Sequence, residues 1–188
     1  MFWRKQKVNE IKYELEILNN NISKKVCCFS GHRPSKLPWG YNENDLKCVS
    51  IKKKLYIEIE KTINEGYNIF LCGMALGFDM ICAEIVLNLK NKYRDIKLIG
   101  ALPCKNQDSK WNNEQQRRYR YILSRLDGIR CIYENYIGAE CMLERNQFMI
   151  NNSSKIIALY NGESGGTQRT LLNAKEKGLK INIIKINK

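Results

Sequence analysis

The sequence predicts an α/β protein with a doubly wound, mostly parallel sheet of about six strands and helices on both faces. Two observations lead to this fold class. Six short apolar runs alternate along the chain with longer segments of helical character, as parallel strands joined by helical crossovers do. Three of these runs end at glycine-containing turns, where doubly wound sheets place their ligands. The 188 residues, 44% of them hydrophobic, suit one domain with a sizeable core.

The strands are predicted from continuous apolar runs, because a strand that is buried on both faces need not alternate with polar residues. The first run, KVCCFS, leads directly into Gly31, and the third is expected to end before Pro103, since proline interrupts a central strand. The six predicted strands are residues 25–30, 68–72, 96–102, 129–134, 156–160 and 180–186.

Helices are predicted between the strands where apolar residues recur at intervals of three and four. They cover about residues 45–65, 79–93, 113–126, 141–151 and 168–177. Most of the apolar stripe of the first helix is expected to come from Leu46, Val49, Tyr56, Ile59 and Ile63.

An N-terminal helical arm, residues 1–24, is predicted to precede the domain, residues 25–188. Ile11, Leu15 and Leu18 would share one face of a short helix over about residues 10–19. In one interpretation Phe2 and Trp3 pack on the domain or on a second subunit. A partly ordered tail is the other interpretation.

Composition limits the cofactors, the compartment and the partners. The eight cysteines form no CxxC pair and His32 is the only histidine, so neither a metal nor another cofactor is predicted. No segment suits a membrane span, and the charged N-terminus is unlike a signal peptide, so a cytoplasmic location without a membrane partner is expected. The net charge of +13 favours a negatively charged partner, although dispersed surface lysines explain it equally well.

Three glycine-containing turns at predicted strand ends form the candidate binding site. The turn after the fifth strand opens a helix, so its N–H groups and partial positive charge suit a phosphate; an ordinary connection is the alternative. The first turn adds an imidazole and a guanidinium, which suit phosphate or carboxylate, and the second adds a carboxylate for a ribose hydroxyl. The candidate ligand-binding residues are Gly31, His32, Arg33, Gly73, Met74, Ala75, Gly77, Asp79, Gly165, Gly166 and Thr167.

Arg145 and Asn146, in the predicted helix 141–151, complete the candidate set. Met142 and Met149 are expected to face the core, and one of the two candidates shares their face. An arginine there needs an anion or a carboxylate as its partner, because an unpaired buried charge is costly.

Arginines and tyrosines are interleaved between Arg117 and Tyr121 in the predicted helix 113–126. Such interleaving occurs in proteins that bind single-stranded nucleic acid. The favoured interpretation is an exposed helix that turns Tyr121, Leu123 or Leu126 to the core.

Three segments of the chain resemble the SLOG superfamily, which includes DNA-processing protein A and the lonely-guy proteins. They are SGHRP after the first strand, GMALGFDMICAE after the second, and M-x-x-R-N-x-x-M ahead of a strand and a GGT turn. The similarity covers about residues 26–186 and is greatest to the YpsA-like branch of Gram-positive bacteria and their phages. The resemblance implies a Rossmann-like fold with a pocket for a nucleotide or a nucleotide-derived ligand.

The resemblance leaves enzymatic activity open. Lonely-guy members hydrolyse nucleoside monophosphates with an arginine, matched by Arg145, and with a glutamate three residues after the threonine of the turn. Thr170 stands at that glutamate position. A hydrolase needs the carboxylate to act on the ribose or to activate water, so Asp79, Glu140 or Glu163 would have to lie close enough to replace it.

Three functions are therefore considered for the site. The preferred one is binding of an ADP-ribose-like or NAD-derived signal, as a sensor or a sequestering protein, by analogy with superfamily members of immune and stress systems. The second is hydrolysis of a nucleoside monophosphate at its N-glycosidic bond. The third is single-stranded DNA binding, as in the DNA-processing relatives. Superfamily members often dimerise through helices that flank the pocket, which makes a homodimer a further expectation.

Overall fold

The structure is a computed structural model and describes residues 25–186, in which six strands alternate with five helices. The predicted N-terminal arm, with its helix and the packing of Phe2 and Trp3, lies outside the described residues. The elements are β1 (Lys25–Gly31), α1 (Leu46–Asn64), β2 (Tyr67–Cys72), α2 (Phe78–Leu89), β3 (Lys97–Cys104), α3 (Asn113–Leu123), β4 (Gly128–Tyr133), α4 (Ala139–Asn151), β5 (Lys155–Tyr160), α5 (Gly166–Glu176) and β6 (Lys180–Lys185).

The six strands form one parallel sheet in the order β4-β3-β2-β1-β5-β6. The chain steps from β1 to β4 in one direction, returns through α4 to the other side of β1, and continues from β5 to β6. The predicted fold class is confirmed, and every described strand pair is parallel. The direction reverses between β1 and β5, which is where ligands bind in sheets of this kind.

Two apolar layers hold helices on opposite faces of the sheet. Cys27 and Phe70 face α1, α2 and α3, whereas Cys28 and Leu71, the next residues along the same strands, face α4 and α5. Burial on both faces explains why the strands appear in the sequence as continuous apolar runs. Among the described helices, none is both long and apolar enough to cross a lipid bilayer.

The buried stripe of α1 differs from the predicted one. Its buried residues are Cys48, Ile51, Leu55, Ile59 and Thr62, which follow one another at intervals of three and four. The predicted stripe is wrong at its first residue, since Leu46 is 85% exposed. The prediction also omitted Ile51 and Leu55, because it followed apolar residues on a neighbouring face, and it omitted Cys48 and Thr62, which are not strongly apolar.

β3 continues through Pro103 to Cys104, so the predicted end of this strand is wrong. Its pairing with β2 stops at Gly100, whereas its pairing with β4 extends to Cys104 opposite Tyr133. Beyond Gly100 the strand therefore has a neighbour on one side only. Proline is tolerated where a strand has such a free side, because no N–H group is required there.

α3 is an exposed helix, as favoured, but its buried residues are Tyr119 and Ile122. Of the three residues predicted as alternatives to turn to the core, Leu123 and Leu126 are partly buried and pack against it, whereas Tyr121 is 57% exposed. The Tyr119 hydroxyl accepts a hydrogen bond from Gln107 Nε2 at 2.8 Å, which satisfies the polar end of a buried ring.

A buried lysine lies at the amino edge of the sheet, opposite the strand ends that carry the glycine turns. Lys155, 1% exposed, donates to Thr62 Oγ1 at 2.7 Å and lies 3.3 Å from carboxylate oxygens of Glu58 and Glu65. These contacts connect the first residue of β5 to the last turns of α1. Glu65 also accepts from Lys180 at 2.8 Å, and mainly this bond lowers its pKa to about 2.

All eight cysteines are free thiols, and only Cys131 among them is partly exposed. Burial raises the pKa of Cys27, Cys72 and Cys82 well above that of an ordinary thiol. The thiols therefore pack as small apolar groups in the folded protein.

Candidate functional site

A cavity of about 320 Å³ opens at the carboxyl ends of β1 and β5, where the direction of the sheet reverses. Loops leave these neighbouring strands towards opposite faces, which creates the crevice. Its walls come from the turn after β1, the start of α2, one face of α4 and the start of α5. The lining residues are Phe29, Ser30, Gly31, His32, Arg33, Ser35, Lys36, Ala75, Asp79, Met142, Arg145, Asn146, Gly165, Gly166 and Thr167.

All the candidates from the sequence except Gly73, Met74 and Gly77 line this cavity. The structure thus brings together three turns and one helix that are far apart along the chain. The carboxyl ends of parallel strands meet at one edge of the sheet, and this accounts for the convergence.

Arg145 and Asp79 form a buried ion pair on the floor of the cavity. Their side chains are 7% and 9% exposed, and Arg145 Nη1 lies 3.5 Å from Asp79 Oδ2. Nη1 also donates to the carbonyl oxygen of Gly73, and Asp79 Oδ2 accepts from the backbone N–H of Ala75 at 3.2 Å. The buried Nε of Arg145 has no hydrogen-bond partner among the described residues.

Burial dominates the electrostatics of this pair. It raises the pKa of Asp79 above its ordinary value, and the nearby Arg145 guanidinium offsets only part of the shift. Burial also lowers the pKa of Arg145, against the opposing effect of Asp79. Each group is thus displaced towards its neutral form, so their mutual attraction does not repay the loss of hydration. Ionisable groups in this condition are frequent at functional sites.

Gly73 supports the site through its lack of a side chain. A Cβ atom at this position would overlap Arg145 Nη1 and lie 2.7 Å from Asp79 Oδ2. Any other residue would therefore displace the ion pair. Met74 is fully buried in the core with a φ of 55°, so it positions the turn without lining the cavity.

Gly77 precedes α2 with a φ of 90°, in the left-handed region that favours glycine. A Cβ atom there would approach Pro34 Cδ to 2.9 Å and the carbonyl oxygen of His32 to 3.0 Å. This close approach holds the turn after β1 against the start of α2.

The start of α5 presents its backbone to the cavity. Gly165 is the residue before the first helical turn, with a φ of 150°, and no side chain caps the helix. A Cβ atom at Gly166 would meet nothing within 4 Å, so the described residues leave space open beside the first backbone groups of the helix. Thr167 is buried beside them. Unsatisfied N–H groups and the helix dipole make such a turn suitable for an anion.

His32 connects two of the turns and is held close to its neutral form. Its Nε2 accepts a hydrogen bond from the backbone N–H of Asn161 at 3.3 Å, and its ring stacks on Tyr160 with centroids 6.0 Å apart. Burial lowers the pKa of His32. The imidazole therefore ties the turn after β1 to the turn after β5 and adds no full charge at neutral pH.

Positive charge predominates in the cavity. Its lining includes the side chains of Arg33, Lys36 and Arg145, against the single carboxylate of Asp79 among the described lining residues. Lys36 Nζ approaches the turn after β5, lying 3.4 Å from the position of a Cβ atom on Gly165. The balance favours an anionic ligand.

Sequence reasoning missed five residues of the lining. Lys36 lies just beyond the SGHRP segment, and its charge beside Arg33 was a signal that could have added it to the set. Nothing in the apolar pattern distinguishes the other four from core or loop residues. They are Phe29, Ser30, Ser35 and Met142, of which Phe29 and Met142 contribute apolar surface.

Thr170, at the position where lonely-guy hydrolases have glutamate, is tied into the protein. Its Oγ1 donates to the carbonyl oxygen of Gly166 at 2.8 Å and accepts from Asn146 Nδ2 at 3.1 Å. Glu140 and Glu163 do not line the cavity, which leaves Asp79 as the carboxylate nearest to a bound ligand.

A family model matches residues 27–187 of this chain, and it describes the YspA SLOG family. The chain belongs to the YspA SLOG family. This membership confirms the resemblance that the GHRP, GMALGFD and GGT segments indicated. In this SLOG protein those segments build the three turns around the cavity.

Curated relatives of this SLOG protein include UPF0398 proteins of two bacteria. One from Brevibacillus brevis is 34% identical over 132 residues, which are 70% of this chain and 70% of that protein. One from Bacillus cereus strain G9842 is 30% identical over 157 residues, 82% of this chain and 84% of that protein.

Two solved structures of DNA processing protein A share the SLOG fold. The Helicobacter pylori protein, described for its single-stranded DNA binding mode, superimposes with a TM-score of 0.61 at 18% identity, covering 89% of this chain and 67% of that chain. The Streptococcus pneumoniae protein has a TM-score of 0.53 at 16% identity, covering 90% of this chain and 52% of that chain. At these identities the comparison establishes the common fold.

Proposed function

We propose that the cavity between β1 and β5 binds a nucleotide-derived small molecule of the ADP-ribose or NAD-derived class through its phosphate. The observation that carries the proposal is that one cavity is lined both by Gly166, beside open space at the start of α5, and by the buried Arg145, whose Nε has no hydrogen-bond partner among the described residues. Both groups gain from a phosphate between them, because each presents N–H donors that are otherwise unsatisfied.

The remaining lining residues fit the other parts of such a ligand. Arg33 and Lys36 lie at the cavity and add charge for further phosphate oxygens. Asp79 is the acceptor for a ribose hydroxyl. A cavity of about 320 Å³ falls in the range of small-molecule sites, at its lower end.

The ion pair explains why an anion would bind strongly. Because burial pushes both Arg145 and Asp79 towards their neutral forms, a phosphate beside Arg145 would supply the charge compensation that Asp79 alone does not. A protein that acts as a sensor or sequesters its ligand requires this kind of affinity without a chemical step.

Thermal unfolding in the presence of ADP-ribose, NAD, AMP and cyclic nucleotides tests the proposal. A ligand at 100 times its Kd stabilises the folded protein by about 2.7 kcal/mol. For a chain of this size that is a rise in Tm of roughly 5–10 °C. If none of these ligands raises the Tm, the proposal is refuted.

A pair of variants locates the ligand. Gly166→Val adds a side chain whose Cβ atom meets nothing within 4 Å and which fills the approach to the start of α5, so it should abolish the rise in Tm. Ser164→Val adds the same side chain in the same turn, at an exposed position outside the cavity lining, and should preserve the rise. If both variants respond like the wild type, the anion binds elsewhere.

Hydrolysis of a nucleoside monophosphate is a second candidate, favoured by the presence of both Arg145 and Asp79 in one cavity. Incubation with AMP and CMP, followed by chromatography for free base, distinguishes hydrolysis from binding alone. Base release that is lost in Arg145→Ala would replace the preferred function with this one.

Single-stranded DNA binding is a third candidate, favoured by the net charge of +13 and by the binding mode described for the Helicobacter pylori protein. α3, in which arginines and tyrosines are interleaved, contributes less to DNA binding than its sequence suggests. Its Arg118 pairs with Glu43 and Glu84 at 2.6 Å each. True binding of an oligonucleotide would weaken steeply between 50 and 200 mM salt, on the order of 10³-fold or more for six phosphate contacts. Absence of a gel shift even at low salt would exclude it.

A further inference from the structure

A second cavity has a volume of about 500 Å³. The contact between Pro34 and Gly77 separates it from the first cavity. The turn after β1 and the turn after β2 contribute to both cavities. In the turn after β2, Ala75 lines the first cavity, whereas Leu76 and Gly77 line the second. The start of α3 closes the far side. Its lining residues are Pro34, Trp39, Gly40, Tyr41, Glu43, Leu76, Gly77, Lys110, Asn112, Glu114, Gln115 and Arg118.

Trp39 is an unpartnered hydrogen-bond donor in the wall of this second cavity. Its side chain belongs to the core and is 6% exposed, yet its buried Nε1 has no hydrogen-bond partner among the described residues. A buried indole N–H normally has an acceptor. The missing acceptor is the observation that points to a ligand.

The charges around the second cavity cancel, in contrast to those of the first. The guanidinium of Arg118 is held by the carboxylates of Glu43 and Glu84, in four hydrogen bonds of 2.6–3.1 Å. Lys110 and Glu114 add one charge of each sign at the rim. The lining is therefore polar without a net charge, which suits an uncharged ligand group.

The amides at the start of α3 supply further donors. Asn112 Oδ1 and Gln115 Oε1 accept the two hydrogen bonds of a capping box, at 2.9 and 3.2 Å. Both carbonyl oxygens are thus occupied, and the NH₂ groups are the parts of these side chains left for a ligand. Tyr41, 66% exposed at the rim, presents a ring on which a planar group can stack.

We propose that the second cavity is a binding subsite for an uncharged planar group that carries hydrogen-bond acceptors, such as a nucleobase or a nicotinamide ring. Trp39 Nε1 and the amide of Gln115 donate to its acceptors, and Tyr41 covers its face. The subsite deepens the proposed function and rests on it for the ligand class. It assigns the base to one cavity and the phosphate to the other.

Nuclear magnetic resonance of the ¹⁵N-labelled full chain tests the subsite with uncharged probes, adenosine and nicotinamide. The chain has three tryptophans, and Trp39→Phe identifies the Trp39 indole resonance by its disappearance. We expect adenosine or nicotinamide to shift this resonance in a saturable manner. Inorganic phosphate should shift the backbone amide of Gly166 and leave the Trp39 indole unmoved.

Two variants and a control measure the contributions, with the backbone amide of Gln115 as the common reporter of affinity. Trp39→Phe keeps an aromatic ring at this position but removes the donor, and it should weaken adenosine binding about five- to tenfold, the usual effect of one hydrogen bond. Tyr41→Ala should weaken it at least about fivefold through lost stacking. Tyr136→Ala removes an equally exposed ring outside both cavities and should change nothing.

The outcomes separate this inference from the proposed function. An indole resonance that neither uncharged probe moves would overturn the subsite, and so would unchanged adenosine affinity in both Trp39→Phe and Tyr41→Ala. A shift of the indole by adenosine with no shift of Gly166 by phosphate would support the subsite and count against the phosphate site.

Discussion

Replacing Arg145 with methionine should destabilise the protein in a strongly pH-dependent way. The substitution removes a guanidinium that is 7% exposed and leaves the Asp79 carboxylate, 9% exposed, with the Ala75 N–H as its one hydrogen-bond donor among the described residues. Removing one member of a buried ion pair costs about 3–5 kcal/mol when the other stays charged. Arg145→Met also loses the hydrogen bond to the Gly73 carbonyl oxygen, worth about 1 kcal/mol.

The pH dependence follows from the direction of the Asp79 pKa. Burial already raises this pKa in the folded state, and the opposing effect of Arg145 disappears in the variant, so the pKa rises further. The folded variant then binds a proton more readily than the unfolded chain. Its free energy of unfolding therefore falls as pH rises from the ordinary aspartate pKa through the raised one. At pH 4 the carboxyl can be protonated, and the penalty for a buried charge is largely absent.

Urea denaturation of the wild type and of Arg145→Met at pH 7 and pH 4 measures the effect. We expect a loss of about 3 kcal/mol or more at pH 7 and about 1 kcal/mol at pH 4. The double variant Asp79→Asn/Arg145→Met should be more stable than Arg145→Met at pH 7, because no buried carboxylate remains, and should show little change with pH. Equal losses at both pH values, or a double variant no more stable than the single one, would refute the reasoning.

Three further variants test other parts of the structure by urea denaturation. Gly31→Ala places a Cβ atom into the buried ring of Phe78 and should destabilise the protein by about 1–3 kcal/mol; an unchanged midpoint would contradict this contact. Glu65→Gln should cost about 1 kcal/mol at pH 7, because Glu65 is a quarter exposed and its bond to Lys180 is partly screened. Since the Glu65 pKa is lowered to about 2, that difference is present above about pH 4.5 and should shrink as pH falls towards 2; a constant difference would count against the bond. Arg118→Met should cost at least about 1 kcal/mol, because it leaves Glu84 without its ion-pair partner and Glu43 with Lys52 alone, and a neutral effect would show the cluster to be unimportant.

The parallel sheet was predictable because each strand is buried on both faces and leaves a continuous apolar run in the sequence. Cys27 and Cys28 illustrate this, since they are neighbours and belong to opposite apolar layers. The ends of elements were less predictable where tertiary pairing decides them. Pro103 remains in β3 because β2 has already stopped pairing there, and no local pattern records that event.

The lining of the cavity was predictable where a residue belongs to a glycine-containing turn that follows a strand or opens a helix, as Arg33 and Gly166 do. The lining was less predictable where a residue matters through its contact with another residue that is distant in the sequence. Gly73 leaves room for a side chain 72 positions away, and sequence separation hides such a relation. The second cavity is a similar case, because Trp39 and the start of α3 meet only through the fold.

The buried thiols of this protein can report its local unfolding. Cys27 and Cys72 on the sheet and Cys82 on α2 share one apolar layer, and a modifying reagent can reach them only while the helices over that layer are lifted from the sheet. Labelling rates, read residue by residue by mass spectrometry, therefore chart which part of the sheet becomes uncovered first. A metabolite that holds the loops after β1 and β2 in place should slow the labelling of Cys72, whose thiol donates to the backbone carbonyl oxygen of Asp79 at 3.1 Å.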